Sequence, residues 1–139
     1  MINETAEDRA TEKDGIIEIA EFMGADGCFF FPPLFAVDAL LRREELLRLV
    51  EYKRRHADRD KYPTLKIDKA KIDKALEIAA VLGADFLLVI EWNNSIEARI
   101  INPIQAKMFP VDPAWKNDRG EIDTAYEIMR NNGKWIIVR

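Results

Sequence analysis

Phe35-Ala36-Val37-Asp38-Ala39-Leu40-Leu41, the charged break Arg43-Glu44-Glu45, and Leu47-Arg48-Leu49-Val50-Glu51-Tyr52-Lys53 form the stretch whose reading decides the fold. Two apolar runs of strand length joined by a short charged turn read as a β-hairpin. The competing reading is one helix from Val37 through Leu49, because the local residues are good helix formers. The hairpin therefore needs flanking strands whose context outweighs intrinsic propensity.

The surrounding chain supplies them. Upstream, Cys28-Phe29-Phe30-Phe31 is short, aromatic and halted by Pro32-Pro33, which suits a leading or edge strand. Before it, Ile16, Ile19, Ala20 and Met23 recur at helical spacing and stop at Gly24 and Gly27. Downstream, Arg54 through Pro63 is a charged connection, and Ile67, Lys71, Ala75, Ile78 and Leu82 trace a helix face ending before Gly83. Phe86 through Trp92 is the strongest central-strand segment, and Ile96 through Ile101 returns beside it after the turn Asn93-Asn94-Ser95. Pro103, Pro110 and Pro113 then break the periodicity, and helix and strand signals compete over Ile122 to Met129. Asn131-Asn132-Gly133 signals a turn before a terminal strand at Trp135-Ile136-Ile137-Val138. With no repeat or linker, residues 1–139 are expected to form one α/β domain, a central mixed sheet flanked by helices.

Composition agrees. With 48% apolar and 33% charged residues in a chain of 139, a real core is affordable without disulfides. A net charge of -4, from 21 basic and 25 acidic residues, excludes a uniformly basic nucleic-acid wrapper but leaves room for a local basic site beside metal-binding acids. The lone cysteine, Cys28, stands among aromatics and reads as buried. No apolar run approaches a membrane span and no leader pattern opens the chain, so a reducing cytoplasmic or other intracellular setting is expected.

In the hairpin reading, Asp38 stands on one strand, and Glu51 and Lys53 share a face of the other by the two-residue period. Two carboxylates can hold a hard cation such as Mg²⁺, and a neighbouring lysine can orient an attacking water. The plainer alternative is a salt-bridge network guarding a sheet edge. Against it, apolar stems precede each acid: Phe35-Ala36-Val37 before Asp38, and Leu49-Val50 before Glu51.

This arrangement resembles the PD-(D/E)xK, or restriction-endonuclease-like, nuclease superfamily, through Val37-Asp38 followed by Val50-Glu51-Tyr52-Lys53. Val37 stands where the name pattern has proline, which removes no expected ligand. The resemblance spans roughly Glu12 through Asn102 and implies a restriction-endonuclease-like core hydrolysing DNA phosphodiester bonds with Mg²⁺, or Mn²⁺ in its place. It implies Asp38 and Glu51 as metal ligands, the Tyr52 carbonyl completing the shell, and Lys53 positioning water. Glu12 on the first helix would supplement the centre, with Glu18 and Glu21 as alternatives, and Lys71 would be an outer basic position. Each has a plainer reading as a solvated helix position or, for Lys71, an ion pair with Asp68 or Asp73.

Arg54, Arg55, His56, Arg59 and Lys61 form a local basic stretch for a nucleic-acid backbone, although Asp58 and Asp60 interrupt it and a solvated loop is the alternative. Glu91, at the end of the apolar Phe86 to Ile90 strand, is another candidate cleft residue, with a solvated strand end preferred over metal binding. Trp92, Trp115 and Trp135 read as packing aromatics before they read as base-stacking surfaces. A homodimer would set two hydrolytic centres against opposite strands. The rival functions are a noncatalytic DNA-binding or assembly domain on a nuclease-like scaffold and a phosphohydrolase of small substrates.

Overall fold

Ile16, Ile19 and Ala20 lie within the last turns of α1 (Ala6–Phe22), and all three are buried. The computed structural model describes residues 6–130 and 135–139, with side chains from residue 11 onward. The turn expected at Asn131-Asn132-Gly133 lies outside the described residues. After α1 come β1 (Gly27–Phe30), β2 (Ala39–Arg43) and β3 (Leu46–Arg54). β2 and β3 pair antiparallel across the two residues Glu44 and Glu45, so the hairpin reading holds and the helix reading fails. Glu44 takes a φ of 55°, and its N–H is held by Asp26 Oδ2 at 2.8 Å.

The first hairpin strand is shorter than expected. Phe35 donates its N–H to the Pro32 carbonyl, closing a turn that leaves Leu34 fully exposed, so β2 starts only at Ala39 and Asp38 precedes it. Ile67 also departs from expectation. It belongs to β4 (Thr64–Asp68), because the Asp68 side chain accepts the Ala70 N–H and caps α2 (Lys69–Leu82) after it. Gly83, at φ 65°, ends that helix in the left-handed conformation.

β5 (Asp85–Glu91) returns parallel to β3, and β6 (Ile96–Ile101) runs antiparallel to β5. A six-residue α3 (Pro103–Met108) follows, with Asn102 and Gln105 in a reciprocal capping box and proline at its first position. β7 (Val111–Lys116) and β8 (Ile122–Met129) come next, and β9 (Ile136–Ile137) pairs with β6. The segment with competing signals is thus a strand.

The main sheet has the order β1-β2-β3-β5-β6-β9 and is mixed, with β3/β5 its parallel pair. A second sheet, β4-β8-β7, was not expected from the sequence. One face of the main sheet packs Val50, Tyr52, Leu87 and Val89 against Ile16 and Ile19 of α1. The other packs Leu49, Phe86, Leu88 and Ile90 against Ile72, Ala75 and Ala79 of α2 and Tyr126 and Ile128 of β8. The sheet is therefore covered on both sides, as its near-continuous apolar β5 requires. Cys28 is exposed, contrary to the expectation of burial; it stands on β1, an edge strand of the main sheet. Among the described residues no helix is long and apolar enough to cross a membrane.

Candidate active site

The late start of β2 opens a notch in the sheet. Its last pair with β3 is Ala39 with Val50, whereas β3 stays paired with β5 out to Arg54. The β2-facing amides of β3 beyond Val50 therefore meet Asp38 instead of a strand. Asp38 donates its N–H to the Val50 carbonyl at 3.0 Å, and its Oδ2 accepts the Tyr52 N–H at 2.6 Å. Amide and carbonyl of one strand residue point to the same side, so the Tyr52 carbonyl is directed into this notch beside Asp38.

Glu51 enters from the α2 face and is 5% exposed. Burial first, and then the neighbouring Asp38 charge, push its carboxyl up to about 8, against the opposing pull of Lys53 and Lys71. Lys53 lies on the same face of β3. Burial and the like charge of Lys71, within hydrogen-bonding reach, hold its ammonium below the usual lysine range, and Glu51 opposes that shift. Lys71 stands in the first turn of α2, where a cation opposes the helix dipole. Its expected ion pairs do not form among the salt bridges described: Asp73 takes Lys69 at 2.5 Å and the Tyr126 hydroxyl at 2.5 Å, while Asp68 caps the helix.

Glu12 approaches from the α1 face. It is half-buried and lines a small cleft together with Lys13, Phe30, Phe31 and Asp38. The structure thus brings Asp38, Glu51, Lys53 and Lys71 together and sets Glu12 beside Asp38. Glu18 pairs instead with Arg139 at 3.3 Å, and Glu21 is exposed.

Tyr52 presents its ring to the α1 side, where its hydroxyl donates to Glu91 Oε1. Gly15 makes room for it: a Cβ there would fall on the tyrosine hydroxyl. Gly15→Ala should consequently lower stability by about 1–3 kcal/mol through overpacking, despite the better helix propensity of alanine. Thermal melting measures this, and a stabilised variant would show that the ring moves freely.

The basic stretch after β3 divides. Arg54 turns to Glu91 at 3.6 Å and Asn93 at 3.0 Å. Arg55 turns to Asp118 at 3.3 Å and the Lys66 carbonyl at 3.1 Å, on the side where its charge reaches Lys53. Arg59 lies near Asp60 at 3.5 Å, Lys61 lies over Tyr62, and His56 is exposed. Glu91 is half-buried and bonded rather than simply solvated. Trp92 is in the core, donating to Glu97 at 2.9 Å, as its packing reading expected. Trp115 and Trp135 are half-buried.

Three contacts around the candidate centre were not read from the sequence. Asp68 acts on Glu51 electrostatically, and its signal was the helix-capping aspartate before Lys69. Lys13 lines the Glu12 cleft, but one more charge on a charged helix carries no local signal. Gly15 with Glu91 clamps Tyr52, a contact that depends on three elements meeting.

Among the described residues no group of three or more His, Cys, Asp and Glu side chains forms a metal cage. The donor set of the notch is two carboxylates and one strand carbonyl. That set fits Mg²⁺, which binds through one or two carboxylates and retains several waters. A buried carboxyl that burial and Asp38 together hold protonated is also what a cation would relieve.

Residues 2–130 match the family model described as "Phage putative PDDEXK endonuclease". A search of curated protein sequences finds no match. Among solved structures, the chain is similar to Hjc, a Holliday junction resolvase from the archaeal hyperthermophile Archaeoglobus fulgidus. The TM-score is 0.56 at 13% identity, covering 85% of this chain and 87% of that one. That likeness bears on the fold and agrees with a restriction-endonuclease-like core.

Proposed function

Because the chain belongs to the phage PDDEXK endonuclease family, we propose that it hydrolyses phosphodiester bonds in DNA at the notch, with a divalent cation as cofactor. The supporting observation is the buried Glu51 carboxyl, with Asp38, Lys53 and Lys71 all close enough to act on its charge. Asp38, Glu51 and the Tyr52 carbonyl would hold Mg²⁺, or Mn²⁺ in its place. Such an ion supplies Lewis-acid stabilisation of charge developing on the phosphate oxygens.

The chain's own residues do the positioning. Lys53, with its proton loosened by burial and by Lys71, holds the attacking water by hydrogen bond and steadies the phosphate. Lys71 meets a substrate phosphate from the α2 side. Glu12 orients groups at Asp38 from the α1 side. Arg59, whose partner Asp60 lies largely in solvent, and Lys61, which lies over the Tyr62 ring, turn to DNA phosphates, while Arg54 and Arg55 add positive charge from their present pairs with Glu91 and Asp118.

The test is cleavage of linear duplex, single-stranded and four-way-junction DNA with Mg²⁺, Mn²⁺ or EDTA. The expected result is cleavage only with a divalent ion, reduced at least ~100-fold by Lys53→Ala. Cleavage in EDTA that Lys53→Ala leaves unchanged would reject the centre. Salt-sensitive DNA binding without cleavage would instead favour a noncatalytic binding domain.

A further inference from the structure

The register of the main sheet places a second concavity beside the notch. Lys53 pairs with Ile90, Ile90 with Glu97, and Glu97 with Ile137, one row across β3, β5, β6 and β9. Paired residues project to the same face, so Glu97 stands two strand spacings, ~10 Å, from Lys53 on the side that carries Glu51. Glu97 lines a pocket of about 380 Å³ together with Arg59, Asp60, Tyr62, Arg130 and Trp135. That volume lies in the range of small-molecule sites.

The floor of the pocket is fixed and electrically balanced. Glu97 is 2% exposed, and its Oε1 accepts from Trp92 Nε1 and from two nitrogens of Arg130. The Arg130 guanidinium lies 4.7 Å from the Trp92 ring centroid. The walls are aromatic. Trp135 is tethered by its indole N–H to the Met129 carbonyl at 3.1 Å, and Tyr62 is half exposed. Arg59 is anchored by its backbone: its N–H donates to Asn94 Oδ1 at 2.9 Å, and its carbonyl accepts from Arg130. Its guanidinium faces Asp60 at 3.5 Å, an acid largely in solvent and therefore easily displaced.

We propose that this pocket binds one nucleotide, the base against the rings of Tyr62 and Trp135 and the phosphate on Arg59. Aromatic walls accept any nucleobase face, and a guanidinium matches phosphate with two parallel hydrogen bonds. Since Arg130 is neutralised by Glu97, Arg59 is the cation among the lining residues that is left to distinguish a nucleotide from a nucleoside. The distance to Lys53 corresponds to about three stacked steps of a strand. A strand with a phosphate at the notch could thus lodge a nearby unpaired nucleotide here. That placement rests on the nuclease reading, whereas recognition of a nucleotide does not.

Binding is measured in EDTA, where no cleavage can intervene, by calorimetry with dAMP and deoxyadenosine and by fluorescence polarisation of a labelled single-stranded oligonucleotide. Tyr62→Ala should weaken nucleotide or oligonucleotide binding about tenfold, and Tyr62→Phe should restore it. Arg59→Ala should weaken dAMP but not deoxyadenosine. Circular dichroism melts confirm that each variant is folded. Tyr62-dependent binding of the oligonucleotide alone supports the pocket with a strand as its source, and Tyr62-dependent binding of dAMP alone supports it with a free nucleotide. Absence of both, or binding of both unchanged in folded Tyr62→Ala, overturns the proposal.

Discussion

Asp38→Asn should reduce divalent-dependent DNA cleavage by about a thousandfold or more while shifting thermal stability little. Asp38 has two tasks that this substitution separates. Its Oδ2 accepts the Tyr52 N–H at 2.6 Å, closing the end of the β2/β3 pairing. An asparagine carbonyl can accept the same bond, so the notch keeps its shape. What is lost is the negative charge, and with it one of the two carboxylates proposed to hold the cation. Asp38→Ala removes both tasks, leaving the Tyr52 N–H without this acceptor, and should additionally cost about 1–3 kcal/mol of stability. Single-turnover cleavage with Mg²⁺ and melting curves in EDTA distinguish the two variants. An Asp38→Asn protein that cleaves at the parental rate would remove Asp38 from the centre.

How far the sequence reveals this site depends on the range of the contacts involved. Glu51 and Lys53 were legible because strand alternation is local: residues two apart share a face wherever the strand lies. Their apolar stems marked β3 as half-buried without any knowledge of its partners. Asp38 was legible as a candidate but misplaced onto the strand, because the turn that delays β2 depends on Phe35 bonding back to Pro32. The second sheet was not legible at all. β4 pairs with β8, so that Ile67 lies against Tyr126, far along the chain. A window around Ile67 sees only its helical spacing with Lys71, Ala75 and Ile78. The aspartate that separates strand from helix there also acts on Glu51, so missing the cap concealed both a boundary and a neighbour of the centre.

Glu51→Gln should abolish cleavage and yet stabilise the metal-free protein at pH 8. In the unfolded chain this carboxyl titrates at its ordinary value of 4.5, whereas in the folded protein burial and Asp38 push it up to about 8. Between those values the folded state holds a proton that the unfolded state has released. Stability from this group is therefore highest at acid pH, falls as pH rises from about 4.5 to about 8, and then levels off. Glutamine keeps the shape without the charge, which removes the loss. The gain at pH 8 should be on the order of 3 kcal/mol and should nearly vanish at pH 4.5. Denaturant unfolding in EDTA at the two pH values measures it, and a variant less stable than the parent at pH 8 would show that Glu51 is charged and well compensated without a cation. Adding Mg²⁺ should reverse the order. A cation that binds only the folded parent stabilises it by mass action, and the glutamine variant, with one carboxylate left, should respond weakly. The residue that makes the empty notch costly is, on this reading, the one that makes it bind.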